Sequence, residues 1–469
     1  MRAAGIALAA LAALSVTGCV RYQARPIDLA AHPGEYRTRR LDDTALVHWV
    51  TEWGGAPSSA GWTDRQLAVA ALRLRAEIAR ARAEWRAVRA GEGAAAARPA
   101  PGLSTDVEHA VSGNDGQAPW VVSLAGLFSI ELGGKRAARL QEARARTAGA
   151  EAALTAQAWH IALETRRAAL DLTLADTGRV AAATEVVAVD TVLALERQRF
   201  AEAAATASEV ARASADLADV RGTLAAAERQ AIEARASLAA AIGVTPRAME
   251  SVAVLPVVSP ACDWIETLGV DSVEGRALTL RPEMAHSLAE YAATEGSLRL
   301  QIARQYPDLD LGPGFIWDQG VHRWTLAFAL PGLLGFRNRS PIVQAEAERA
   351  AAGARVLETQ ESVIREVATA AESCRGARLE RVAADSQVAG ARRNLARAQA
   401  AYERGETARL DAALARLALV RAERVLRDAD RRLALAGLAV EEAAGEWKGG
   451  GAMRWPDPRT ESGEEGASR

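Results

Sequence analysis

The sequence predicts a mainly helical chain that also carries membrane β-strands, arranged as a tandem duplication of long helical hairpins and β-hairpins. Three observations predict this class. The apolar 49% of the 469 residues is mostly Ala, Leu and Val, with aromatics at only 4%. It falls in Arg/Glu/Ala-rich tracts, a helix-forming composition. Two isolated segments instead alternate apolar and polar residues with the period of a strand. Finally, markers recur about 204 residues apart: Trp120 and Trp324 each precede an alternating segment, Arg98-Pro99-Ala100-Pro101-Gly102-Leu103 answers Arg304-Gln305-Tyr306-Pro307-Asp308-Leu309, and Phe200 answers Tyr402.

Each unit therefore reads helix, strand, turn, strand, long helix, tight break, helix. The first runs over 62–243 and the second over 272–445, joined by a linker, 244–271, that contains Pro246, Pro256 and Pro260. At the N-terminus, Arg2 precedes an apolar stretch from Ala3 to Val16, too short to span a bilayer but the length of a secretory h-region. It ends in Val16-Thr17-Gly18-Cys19, which resembles a bacterial lipobox. The resemblance implies cleavage after residue 18, a lipid on Cys19 (palmitate as its acyl marker), and, with Val20 next, delivery to the outer membrane. Residues 19–61 then form a lipid-anchored N-terminal segment, and 446–469 a disordered tail. No later run has the 18 or more apolar residues of a transmembrane helix, so a membrane crossing must be made by strands.

The strands follow from the alternation. Leu309, Leu311, Pro313, Phe315 and Trp317 form one face against Asp308, Asp310, Gly312, Gly314 and Asp318. After Gln319-Gly320, Trp324, Leu326, Phe328 and Leu330 oppose Thr325, Ala327 and Ala329. In the first unit Leu103, Thr105, Val107, His109 and Val111 oppose Ser104, Asp106 and Glu108, and then Trp120, Val122, Leu124 and Phe128 oppose Ser123 and Ser129. Each strand has about ten residues, the length that spans a bilayer when tilted. Half-buried hairpins of a soluble α+β protein would alternate equally well. The isolation of these hairpins among very long helices, the export signal and the terminal aromatics favour the membrane. Four strands cannot close a barrel, so several chains must pool them.

The helical tracts run from about Arg136 to Phe200 and from Ile342 to Tyr402 without proline. At 1.5 Å per residue the first could extend roughly 95 Å. Ala-rich faces such as Ala137, Leu140, Ala143, Ala148 and Ala152 permit close packing, as in coiled coils. Without the hairpins, a soluble coiled-coil protein would be the preferred reading.

Family resemblance enters through Ile130-Glu131-Leu132-Gly133-Gly134-Lys135-Arg136, Leu280-Arg281-Pro282-Glu283, Gly312-Pro313-Gly314-Phe315-Ile316-Trp317-Asp318-Gln319-Gly320, and Asn338-Arg339-Ser340-Pro341-Ile342. In this order the chain resembles the TolC family of outer-membrane efflux ducts, and within it the CzcC-like branch associated with heavy-metal cation export. The resemblance implies a homotrimer with a 12-stranded β-barrel joined to an α-helical barrel in the periplasm. It also implies two further partners, a periplasmic adaptor (membrane fusion) protein and an inner-membrane pump of the RND type. Other readings are a duct for drugs or for type I protein secretion, and a periplasmic adaptor or structural lipoprotein. An adaptor would need a lipoyl-like β domain, which the sequence lacks.

The helix breaks are the candidate periplasmic tips and gate. In the first unit these are Phe200, Thr206 and Glu209, the last two at capping-box spacing. In the second they are Tyr402, Arg404, Gly405, Thr407, Arg409 and Asp411. Gly405 suits the left-handed end of one helix and Asp411 the positive start of the next. Ala203 stands where a tip glycine is common in the family, and Thr407 and Leu414 stand where relatives carry a charged gating pair.

Enzymatic function is not expected. The sequence has no HExxH, GxSxG or GxxxxGK[ST] motif. His32, His48, His109, His160, His286 and His322 are scattered, and Cys19, Cys262 and Cys374 form neither a CxxC pair nor a disulfide ladder. No cofactor or metal site is expected. A net charge of -2, with basic and acidic residues interleaved, gives no footprint for nucleic acid.

Overall fold

The structure, a computed structural model, describes residues 22–109, 111, 120–250, 252–257, 261–318, 320–331 and 338–447. Cys19 and most of the C-terminal tail, 448–469, lie outside them. The chain divides into two units at Arg40. The first holds the short helix α1 (Ala31–Thr38), after which the Arg39 guanidinium sits over the Tyr36 ring.

The second unit, from Leu41 onward, begins with α2 (Thr44–Gly54), α3 (Asp64–Leu74) and α4 (Ala76–Ala96), which lead into strands β1 (Gly102–His109) and β2 (Trp120–Ile130). The long helix α5 (Lys135–Ala201) and its return α6 (Ala207–Ile242) complete the first repeat. A 3-10 turn (Pro246–Met249) and helices α7 (Ala261–Leu268) and α8 (Val270–Leu280) bridge to α9 (Pro282–Ala303), β3 (Leu309–Asp318), β4 (Val321–Ala329), the long helix α10 (Arg339–Glu403) and its return α11 (Arg409–Ala444). With 67 and 65 residues, α5 and α10 are each about 100 Å long. Their buried faces are rich in alanine, for example Ala345, Ala352, Ala370, Ala377 and Ala384, so neighbouring helices approach closely. At Gly296 of α9 a Cβ would meet the Glu142 backbone at 2.7 Å, so only glycine fits this crossing.

The strands form a single antiparallel sheet in the order β1-β2-β3-β4. β1 stops at His109 and β4 at Ala329, so Val111 and Leu330, read from the sequence as strand residues, lie just beyond the ladder. Within the segment read as a linker, Val254 bridges to Trp62 and α7 packs in a core. That core joins Cys262 and Ile265 to Val273, Val363, Val367, Cys374 and Val440. A second core gathers Leu41, Leu46 and Val50 from the N-terminal segment with Leu67, Leu172, Leu238 and Ile242.

The sequence reading had foreseen no disulfide pairing; here Cys262 and Cys374 are bonded across 112 residues, stapling α7 to α10. A signal was available: with Cys19 set aside for the lipid that the lipobox resemblance implies, Cys262 and Cys374 remain as an even pair.

Arg166 of α5, 0% exposed, lies between Asp64 of α3 and Glu441 of α11, itself 0% exposed. Its guanidinium stacks over Trp447 at 4.5 Å. Burial pulls its pKa below that of an ordinary guanidinium, against the opposing pull of Asp64. Glu446 pairs with Arg276 at 2.6 Å, so the first two residues assigned to the disordered tail are packed.

Candidate functional site

Three features define the candidate site: a sheet face, the junction between sheet and helices, and the helix turns at the far end. The register lines up the alternating residues across all four strands. Thr105 pairs with Leu124, Leu124 with Phe315 and Phe315 with Trp324. One rung along, Val107, Val122, Trp317 and His322 align in the same way, and Phe128, Leu311 and Phe328 form another row. Because side chains alternate across a pleat, these rows share one face, and that face is open: Trp324 is 84% and Phe328 66% exposed. The opposite face carries Ser104, Asp106, Ser123, Ala125, Gly312, Gly314, Thr325 and Ala327, with a Ser123–Asp106 hydrogen bond. A continuous apolar face on an exposed sheet demands an apolar environment. Among the described residues, no helix is long and apolar enough to cross a membrane.

At the junction, Gly133, Gly134 and Asn338 take left-handed conformations where strands become helices, which explains the Gly-Gly and Asn-Arg motifs. Lys135 Nζ reaches Asp308 Oδ1 at 2.7 Å, tying the two repeats. Arg139 grips Glu131 through both guanidinium arms, and Asn338 donates to the Gln301 carbonyl.

Further along the helices, a matched clamp repeats. Arg75 binds Glu77 and Glu164 and donates to the Ala241 carbonyl. Arg281 binds Glu283 and Glu366 and lies against Gly445. The duplication is thus written in side-chain geometry as well as in helix order. The sequence reading noted Arg281 as a motif residue and missed Arg75 in Leu74-Arg75-Ala76-Glu77.

At the tips, both long helices end in the same turn. Gly405 (φ 73) donates to the Tyr402 carbonyl and Glu406 to that of Ala401. Ala203 (φ 59) donates to Phe200 and Ala204 to Arg199. Both are Schellman motifs, but the first places alanine where glycine is favoured. Thr206 and Glu209 make a reciprocal capping box, and bonds from the Thr206 backbone N–H and hydroxyl hold the Glu209 carboxyl below its usual pKa. Asp411 accepts from the Ala408 N–H at 3.0 Å, and Arg404 pairs with its neighbour Glu406.

The structure therefore brings Thr206 to Glu209 and Asp411 to Ala408. Phe200 and Tyr402 are half exposed, and Thr407 and Arg409 are exposed. Among the described residues, no hydrogen bond or ion pair joins the first turn to the second. The hairpins meet further up, where Val189, Leu193, Leu217, Leu410, Leu417 and Val420 pack together. There the buried Glu185 of α5 binds Arg421 and Arg424 of α11. The sequence reading missed this cross-hairpin link, because its partners are 236 residues apart. Among the described residues, no group of three or more His, Cys, Asp or Glu could hold a metal ion.

Very long helical hairpins, duplicated around an open sheet with an apolar face, are the architecture that the family resemblance in the sequence implies. The sequence matches the outer membrane efflux protein family over residues 67–244 and 274–446, and the chain belongs to that family. Its fold is similar to the outer membrane protein VceC from Vibrio cholerae (TM-score 0.65, 20% identity, 82% of this chain and 96% of that one). It is also similar to the outer-membrane channel OprN (0.67, 19%, 91% and 98%) and to CusC, described in relation to transmembrane channel formation (0.65, 15%, 92% and 100%). Among curated protein sequences, none matches.

Proposed function

We propose that the chain is the outer-membrane exit duct of a tripartite efflux system. In this reading it is a lipid-anchored homotrimer that takes substrate from an inner-membrane RND-type pump through a periplasmic adaptor. The observation that carries the proposal is the open four-stranded sheet with its exposed apolar face. Its edge strands β1 and β4 run in opposite directions, so joining β4 of one copy to β1 of the next continues the antiparallel order. Three copies would give twelve strands, an even number that closes a barrel and removes every edge. The small and polar face then lines the lumen. The long helices extend the passage into the periplasm, and the tips lie about 100 Å from the membrane.

The duct supplies a path and no driving force; energy comes from the pump. The cargo we assign is heavy-metal cations, on the branch motifs quoted above. A conduit gains nothing from a tight metal site, since strong binding slows release. Purified protein in planar bilayers should give stable ion-conducting steps, and deletion of the gene should raise cellular heavy-metal content. Absence of conductance from correctly assembled protein would defeat the duct reading. Unchanged metal content with impaired drug or protein export would reassign the cargo.

A further inference from the structure

The two ends of the sheet differ in charge. At the hairpin end, near His109, Trp120, Asp318 and Val321, the one described arginine or lysine is Arg323, and Asp318 neutralises it at 3.0 Å. The helix end, near Gly102, Ile130, Leu309 and Ala329, is richly basic. Lys135 and Arg139 there are matched by Asp308 and Glu131. Four more arginines, Arg98, Arg136, Arg304 and Arg339, are exposed, and among the described residues none of them has an acidic partner.

Hydrogen bonds place these four at one level. Arg136 donates to the Ala96 carbonyl and Arg139 to that of Ala97, next to Arg98. Asn338, beside Arg339, donates to the Gln301 carbonyl, one turn from Arg304, whose own bond is to Gln301 within the same helix. Asp310, the remaining acid, alternates with Leu309 and Leu311 and so lies on the small-residue face. Apolar side chains are exposed at the same level: Ile130, Leu132, Ile302, Tyr306 and Leu330. A band of guanidiniums beside an apolar girdle with a tyrosine matches a lipid interface in both polarity and charge. Guanidinium forks suit phosphate oxygens.

We propose that this band is a binding site for the phosphate headgroups of anionic phospholipids in the periplasmic leaflet, one that fixes the height of the barrel in the membrane. The proposal rests on the outer-membrane reading above.

The test returns the full-length protein to vesicles of phosphatidylcholine alone and to an equimolar mixture with phosphatidylglycerol. The lipids that remain with the protein after re-extraction are then measured by mass spectrometry. Each exposed Arg near an anionic surface contributes roughly fivefold in affinity. The parent should therefore enrich phosphatidylglycerol over phosphatidylcholine at least about tenfold, and the enrichment should shrink as salt is raised. The variant Arg98→Gln/Arg136→Gln/Arg304→Gln/Arg339→Gln should lose it. Arg98→Gln/Arg304→Gln, which removes no bond between elements, should lose part of it and guards against misfolding of the fourfold variant. Four Gln substitutions at Arg212, Arg221, Arg229 and Arg416, far along the helices, should leave it unchanged. Equal enrichment in the parent and both junction variants, with normal insertion, would overturn the lipid site and leave the duct standing. Failure of the parent to insert into either vesicle would overturn the outer-membrane reading and the site with it.

Discussion

Arg166→Met is the sharpest probe of how the chain ends are held to the long helix. The substitution keeps most of the side-chain volume but removes the cation between Asp64 and Glu441. Asp64 is 20% exposed by its side chain and can return to water, whereas Glu441 is 0% exposed and cannot. Leaving one buried charge without its partner costs about 3–5 kcal/mol, and loss of the contact with Trp447 adds about 1 kcal/mol. The elements set free are α3 and the end of α11, so the damage should be local. Hydrogen exchange of the assembled protein should accelerate at least about 100-fold over 64–74 and 436–447, with the tips unaffected. The double variant Arg166→Met/Glu441→Leu removes both charges and should recover most of the protection. Exchange in Arg166→Met within about threefold of the parent, or a double variant as loose as the sum of the two singles, would refute the argument.

Other expectations follow from the tips, the clamps and the N-terminus. Ala203→Gly should relieve a left-handed alanine and slow exchange at the first tip by about 1 kcal/mol, while Gly405→Ala should loosen the second by a similar amount; no change in either would argue against the Schellman geometry. Hydrogen bonds from Arg75 hold the Glu77 carboxyl below its ordinary pKa of 4.5. For Glu366, burial acts upward, but bonds from Arg281 and Ser362 outweigh it and the pKa is again lowered. A carboxylate whose folded pKa lies below its unfolded one stabilises the fold above about pH 4.5 and loses that contribution as pH falls through the depressed value. Unfolding midpoints should therefore fall on acidification, and less steeply in Glu77→Gln/Glu366→Gln; parallel pH profiles would count against the clamps. Cys19→Ser should abolish metabolic labelling with palmitate, and persistent labelling would exclude lipidation at this residue.

Local patterning carried much of the architecture into the sequence. The period-two runs on either side of Gln319-Gly320 predict β3 and β4 because alternation is a one-dimensional signal. The proline-free interiors of the Arg136–Phe200 and Ile342–Tyr402 tracts likewise predict helices that the structure extends by only a residue or a few at each end. Thr206 and Glu209 form the expected box because capping is decided within three residues. What stayed hidden depends on distant pairs. Cys262 and Cys374, Arg166 with Glu441, Lys135 with Asp308, and Glu185 with Arg421 are brought together only by packing of the two repeats. Arg75 was overlooked for a different reason: Ala76 replaces the proline that makes Arg281-Pro282 conspicuous. The gate candidates Arg404 and Arg409 were chosen by charge at a turn. In one chain Arg404 spends its charge on Glu406, two residues away.

The most direct test of a shared barrel is a cross-link between its edge strands. Ser104 on β1 and Thr325 on β4 share the small, polar face at opposite edges of the sheet, roughly 14 Å apart within one copy, too far for a disulfide. Ser104→Cys/Thr325→Cys, with a set of short bifunctional thiol reagents to bracket the register, should join β1 of one copy to β4 of the next. The account predicts a ladder on denaturing gels that ends at three chains, and nothing above two chains when copies carrying only the first cysteine are mixed with copies carrying only the second. Uncross-linked monomer from membrane-inserted protein, or a ladder continuing beyond three, would contradict it.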